Sequence, residues 1–141
     1  MSTQPNVLIT DTDVRQLRQM LEHVIPNEHD LPQWKALEEE IERARVVPTD
    51  QIPPDVVTMQ SRVRIVDMRT GEQLIYQIVY PHEANYAEKK ISVLAPIGTA
   101  VLGYRAGTEI DWTVPSGTRR LRIEAVEHQP ESARAKRRAA A

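Results

Sequence analysis

An α+β chain is expected from three features of its 141 residues, with a helical first third and a turn-rich, sheet-forming remainder. All five glycines (71, 98, 103, 107 and 117) fall in the second half, and glycine is costly inside helices but useful at turns. The apolar spacing changes from three-and-four to two on either side of residues 46–54, which hold three prolines. Charge divides at the same place: residues 1–50 carry 5 basic and 10 acidic residues, residues 51–131 carry 9 and 10, and the last ten carry 4 and 0.

The first helix starts at Thr10-Asp11-Thr12-Asp13, a capping pattern with acids placed favourably against the helix dipole. Val14, Leu17, Leu21 and Val24 follow at spacings of three, four and three, with Met20 and Ile25 widening the stripe. Pro26 to Asp30 breaks the pattern. Asp30 opens a second start signal, with Pro32 in the first turn and Gln33 at the capping-box position. Trp34, Leu37, Ile41 and Ala44 then repeat the spacing. Two such helices joined by about five residues pair antiparallel as a short coiled coil. At about 15 residues each they reach only ~22 Å. A hairpin that short buries one stripe and must lean on the rest of the chain or fray.

The expected boundaries are a hairpin over 1–47, a stiff linker over 48–54, a compact domain over 55–131 and a basic, disordered tail over 132–141. Within the domain, Val63 and Ile65 alternate with polar residues as a half-buried strand. Thr70-Gly71 is a hairpin turn, and Leu74 to Tyr80 is the second strand. Ile91, Val93 and Leu94 form a short buried strand. Pro96 to Leu102 is a helix of one or two turns with Gly103 past its end. Arg105-Ala106-Gly107 turns the chain into a strand over Ile110–Val114. Pro115-Ser116-Gly117 then turns it into the last strand, over Leu121–Val126. The sum is about five strands, mostly antiparallel, around one short helix.

Catalytic patterns are missing. No glycines cluster into a phosphate-binding loop, no Gly-x-Ser-x-Gly elbow occurs, and the chain has no cysteine. The four histidines (23, 29, 82 and 128) are scattered, so none pair at helical spacing for zinc. No catalytic residue, metal or cofactor is expected. The longest uncharged stretch, Ile91 to Tyr104, is interrupted by Pro96, Gly98 and Gly103, and it is shorter than the about 20 residues a bilayer span needs. No charged-then-apolar leader opens the chain, so no secretory signal is expected; the chain is expected to be cytoplasmic and monomeric, without a membrane partner.

Four surface features invite a partner. Glu28, His29 and Asp30 gather ligand-type side chains at the hairpin bend, where two carboxylates could share a magnesium ion; capping already accounts for Asp30. Glu38, Glu39, Glu40 and Glu42 form an acidic run, partly explained by the helical spacing of Glu39 and Arg43. Ala95-Pro96-Ile97-Gly98 puts an apolar Pro-Ile pair at the mouth of a short helix. Either Ile97 packs inward while Pro96 sets the turn, or the pair is a docking point. Arg134, Lys136, Arg137 and Arg138 of the tail could touch a nucleic acid, with affinity but no specificity.

Several strings carry a resemblance: Ile52-Pro53-x-Asp55-Val56-Val57-Thr58-Met59-x-Ser61-x-Val63, Thr70-Gly71-Glu72, Val79-Tyr80-Pro81, the run from Ile91 to Gly103, and Gln129-Pro130-Glu131. Over residues 7–131 the chain resembles the Rnk family, regulators of nucleoside diphosphate kinase grouped with the Gre transcript-cleavage factors. It departs from the family at His128, where Tyr is frequent. The resemblance implies an N-terminal coiled coil followed by an FKBP-like domain. It also implies binding to RNA polymerase at the rim of the secondary channel, with the contact carried by Ala95, Pro96, Ile97 and Gly98. The Gre tip pattern is replaced by Glu28-His29-Asp30 on a shorter hairpin. Competition with Gre factors is therefore expected rather than transcript cleavage. Direct regulation of nucleoside diphosphate kinase is the alternative. Prolyl isomerisation is disfavoured, since only Tyr76, Tyr80, Tyr86, Tyr104 and Trp112 are available to line a pocket.

Overall fold

Thr10 ends one element and begins the next. In the computed structural model, which describes residues 7–23, 26–28, 30–114 and 117–140, its Oγ1 accepts the backbone N–H of Asp13 at 3.0 Å. This caps α1 (Asp11–His23) as the Thr-Asp-Thr-Asp pattern predicts. Thr10 is also the last residue of β1 (Leu8–Thr10). After α1 the chain bends and returns as α2 (Leu31–Arg43), then forms β2 (Arg45–Val47), which lies parallel to β1 with Leu8 opposite Arg45 and Thr10 opposite Val47. The two ends of the hairpin are thus stitched together at its base. Asp11 reinforces the stitch by accepting from Thr49 Oγ1 at 2.7 Å and from its backbone N–H at 3.2 Å.

The expected linker over 48–54 is ordered: Arg45–Val47, just before it, is strand, Thr49–Gln51 within it is a single 3₁₀ turn, and Ile52 is buried. Pro48 and Pro53 end these pieces without preventing them, because β-branched Val46 and Val47 suit a strand and the prolines fall outside its ladder.

The second cap is revised. Asp30 already has helical backbone angles (φ −91°, ψ −11°), and its side chain makes no capping bond. Asn27 does that work: its Oδ1 accepts the Asp30 N–H at 2.8 Å, and its carbonyl accepts from Leu31 N at 3.0 Å. A capping side chain needs the extended backbone that Asp30 lacks.

The sheet has the order β5-β4-β3-β7-β6. It is built from β3 (Arg62–Asp67), β4 (Gln73–Val79), β5 (Lys90–Ser92), β6 (Glu109–Val114) and β7 (Gly117–His128). All pairings are antiparallel except β4 with β5. The Asp67–Gly71 turn forms because Asp67 Oδ1 accepts from Arg69 N and Thr70 N, and because Gly71 takes φ +76°. Pro115 and Ser116 lie outside the described residues, as do Val24, Ile25 and His29. One short helix, α3 (Pro96–Val101), follows β5.

One apolar core serves both halves. Leu17 and Leu21 of α1 and Leu37 and Ile41 of α2 join Val63, Ile65, Ile78, Ile91, Leu121 and Ile123 of the sheet in a single buried cluster. The hairpin does lean on the sheet unit, because stripes of this width are not satisfied by each other alone. Strand β1 is the seam: Leu8 N donates to Gly103 O at 2.9 Å, and Val7 O accepts from Arg45 N at 2.8 Å. Gly103 is required there on two counts. Its φ is +84°, and a Cβ would collide with the Val7 side chain.

The C-terminal segment, expected to be disordered, forms α4 (Pro130–Ala140). Alanine, arginine and lysine favour helix, Pro130 suits the first turn, and Ala133 N donates to Gln129 O at 3.0 Å. Among the described residues, no helix is long and apolar enough to cross a membrane.

Candidate functional site

The Ala95–Gly98 segment is a stiff corner between β5 and α3. Ser92 Oγ accepts from Leu94 N at 3.0 Å, and Ser92 O accepts from Ala95 N at 2.9 Å. Thr99, itself buried, donates its hydroxyl to Val93 O at 2.6 Å, folding the helix start back onto the strand end. Gly98 has no room for a side chain, since a Cβ would strike Ser92 O and lie 3.1 Å from Val93 Cα. The sequence-derived site therefore splits. Pro96 is exposed and Ala95 half-exposed, whereas Ile97 (6% exposed) and Gly98 face inward. Ile97 is core, and the outward part of the corner is Ala95-Pro96.

Beside this corner, α3 packs against α2 and β6, and the three elements enclose an open cleft of about 670 Å³. Glu39 and Glu40 of α2 face Glu109 and Asp111 of β6 across it. Arg43 is held by Glu40 at 2.9 Å and donates to Tyr104 Oη at 2.6 Å. Arg120 lies 3.7 Å from both Glu109 and Asp111. The acidic run on α2 is thus extended by strand residues that no sequence spacing connects to it.

The hairpin bend is a separate place. Glu28 and Asp30 are exposed, and among the described residues no group of three metal-ligating side chains is assembled. The two 13-residue helices measure only ~20 Å each.

A third constellation was not anticipated. Asp13, on the buried side of α1, accepts the backbone N–H of Met59 at 3.1 Å. On the other side of the same turn, Thr58 Oγ1 donates to Glu131 Oε1 of α4 at 2.8 Å, and Ser61 Oγ accepts from Thr58 N at 2.9 Å. Gln129 Nε2 donates to Pro53 O at 2.7 Å and to Val56 O at 2.8 Å. Burial pushes the Asp13 carboxyl up to about 6; the Glu131 charge adds to the rise, and the Met59 N–H, Thr10 and Arg134 oppose it. Tyr80, which donates to Gln16 Oε1 at 2.8 Å, has its phenol raised by burial first, then by the nearby Asp13 and Glu83 charges. The Ile52–Ser61 and Gln129–Glu131 strings, far apart in the chain, are two sides of one hydrogen-bonded cluster.

Residues 5–47 match the Rnk N-terminus family, and residues 52–128 match the GreA/GreB transcription elongation factor C-terminal family. The chain is 36% identical to the regulator of nucleoside diphosphate kinase of Escherichia coli K12, over 93% of its own length and 96% of that protein. The chain belongs to the Rnk family. Its Gre-type half is shared more widely: it is 36% identical to the transcription elongation factor GreA of Acetivibrio thermocellus over 62% of this chain and 55% of that protein. The fold agrees with the solved GreA/GreB elongation factor of Nitrosomonas europaea at a TM-score of 0.73 and 38% identity, over 89% of this chain and 100% of that one. These relatives are named as a regulator and as transcription elongation factors. The Ala95–Gly98 corner falls in the Gre-type segment, the bend falls in the Rnk segment, and α4 begins beyond both.

Proposed function

We propose that this Rnk-family chain is a non-enzymatic transcription regulator that docks on RNA polymerase at the rim of the secondary channel. It competes there with Gre factors without stimulating transcript cleavage. The observation that carries this reading is the rigid Ala95-Pro96 corner on a Gre-type domain, turned outward while Ile97, Gly98 and Thr99 anchor it from below. Docking favours such a surface, because a pre-ordered corner loses little conformational freedom on binding. We read the sheet unit as FKBP-like and the hairpin as a short coiled coil. Helices of ~20 Å and a bend of Glu28, His29 and Asp30 suit occupying a channel better than reaching a catalytic centre. The working state is a cytoplasmic monomer. Nucleic acid enters only through the polymerase or through Arg134, Lys136 and Arg137, which α4 exposes.

The test is capture of purified core RNA polymerase, with and without excess Gre factor, by the wild-type chain and by Pro96→Asp. Capture that the Gre factor displaces, and that Pro96→Asp loses while its circular dichroism stays unchanged, is the expected result. Capture by Pro96→Asp at wild-type level would remove the docking assignment. The second reading, direct regulation of nucleoside diphosphate kinase, is favoured by the name of the relative that matches 93% of the chain. A change in kinase rate on mixing the two purified proteins, with no polymerase present, would select it.

A further inference from the structure

The Thr58–Ser61 turn is gripped from both sides by carboxylates that come from opposite ends of the chain. Gln60 takes φ +69° within it, a left-handed conformation that a non-glycine residue holds only where its surroundings enforce it. The enforcement is visible. Asp13 of α1 takes the Met59 N–H, Glu131 of α4 takes the Thr58 hydroxyl, and Ser61 N donates to Thr58 O at 3.1 Å. Asp13 and Glu131 are only 6% and 9% exposed. The hairpin and the last helix are coupled through this one turn.

The two grips differ in strength. Helix α1 is fixed along its length by Leu17 and Leu21 in the shared core. Helix α4 is attached near one end, by the two Gln129 bonds and the Glu131 bond, with Ser132 and Ala133 half-buried and Arg134, Ala135, Lys136 and Arg137 exposed. Eleven residues are too few for a helix that stands by itself in water. It can release without opening the core.

We propose that α4 is a releasable strap and that Asp13 sets how firmly it holds, the strap closing when Asp13 is protonated and loosening when Asp13 is ionised beside Glu131. Every charged or titratable neighbour of Asp13 bears on this. From α4, Glu131 opposes its ionisation and Arg134 favours it; from the end of β4, the Tyr80 phenol faces it, with Glu83 beyond. The direction follows from the cluster. With α4 docked, burial and then the Glu131 charge hold the Asp13 carboxyl up at about 6, and with α4 away it loses the Glu131 charge, which outweighs that of Arg134, and moves down. Docking therefore takes up a proton, and rising pH weakens it. A neutral Asp13 still accepts the Met59 N–H through its carbonyl oxygen, so the hairpin side of the grip survives.

Hydrogen exchange on the full chain, corrected for the intrinsic pH dependence of exchange, tests this at about pH 5 and about pH 7.5. Protection of the amides over 133–137 is expected to fall severalfold between the two, while β3 and β7 amides keep theirs. Asp13→Asn should hold 133–137 at the higher protection at both values. Glu131→Gln, whose amide oxygen can still accept from Thr58, should flatten the dependence without unfolding and serves if Asp13→Asn folds poorly. Wild-type protection that does not change with pH, full exchange at both values, or a wild-type pH dependence in either variant would overturn the strap.

Discussion

The corner at Ala95–Gly98 and the bend at Asn27–Asp30 are both turns the sequence marks for a partner, but they are held by different forces. The corner is fixed from underneath by Ile97 in the core, by Thr99 tied to Val93, and by a glycine with no room for a Cβ. The bend is fixed by its own residues, chiefly Asn27 bonding to Asp30 and Leu31. A surface of the first kind keeps its shape before a partner arrives. A surface of the second kind can change its residues at small cost, and that suits a tip whose chemistry is tuned separately from the fold.

The sharpest way to break this contrast is Ile97→Asp. Burying a carboxylate where a core isoleucine sat should cost about 4 kcal/mol or more, and urea melts followed by circular dichroism should show the whole chain destabilised. A variant that melts like the wild type would mean the corner is not anchored through Ile97. Next comes Asp13→Asn, which probes the base of the hairpin. The folded-state value of Asp13 is raised to about 6 from 3.8, so the stability linked to it is fully present below about pH 4 and is lost as pH rises through about 6. At neutral pH the ionised group costs at most ~3 kcal/mol, at 1.36 kcal/mol per unit. Removing the charge should raise the urea midpoint at pH 7 and flatten the slope between pH 4 and 6; an unchanged slope would assign the titration elsewhere. The smallest effects belong to the bend. Asn27→Ala should cost about 1 kcal/mol as a lost cap, whereas Glu28→Gln and Asp30→Asn should stay within about 0.5 kcal/mol. Equal costs for Asn27 and Asp30 in thermal melts would return the cap to Asp30.

What the sequence disclosed followed periodicity. The stripes Val14-Leu17-Leu21 and Trp34-Leu37-Ile41-Ala44, the alternation at Val63 and Ile65, and the glycines at 71 and 103 are local patterns, and local patterns survive folding. What it concealed depends on distance. Strands β1 and β2 are three residues each and pair across the whole length of the hairpin. Helix α4 has the composition of a solvated tail, and its anchor, Gln129 bonded to the carbonyls of Pro53 and Val56, is invisible until the chain has closed. Asn27 and Asp30 are both good caps by type, and only the backbone angles decide between them. Ile97 reads equally well inward or outward until Gly98 is seen pressed against Ser92. The acidic cleft joins α2 to β6 across some seventy residues, so half its charge was legible and its convergence was not.

The stitched base has an engineering consequence. Because β1 lies beside β2 and Asp11 holds Thr49, the hairpin leaves and re-enters the body at one base, while Leu17, Leu21, Leu37 and Ile41 pack its inner face on the shared core. Only the part of the hairpin beyond those residues is a free parameter in length. Inserting seven residues in each helix in phase would carry the bend outward by ~10 Å while keeping the apolar seam aligned. A graded series of such insertions would turn the protein into a depth gauge for the channel proposed above.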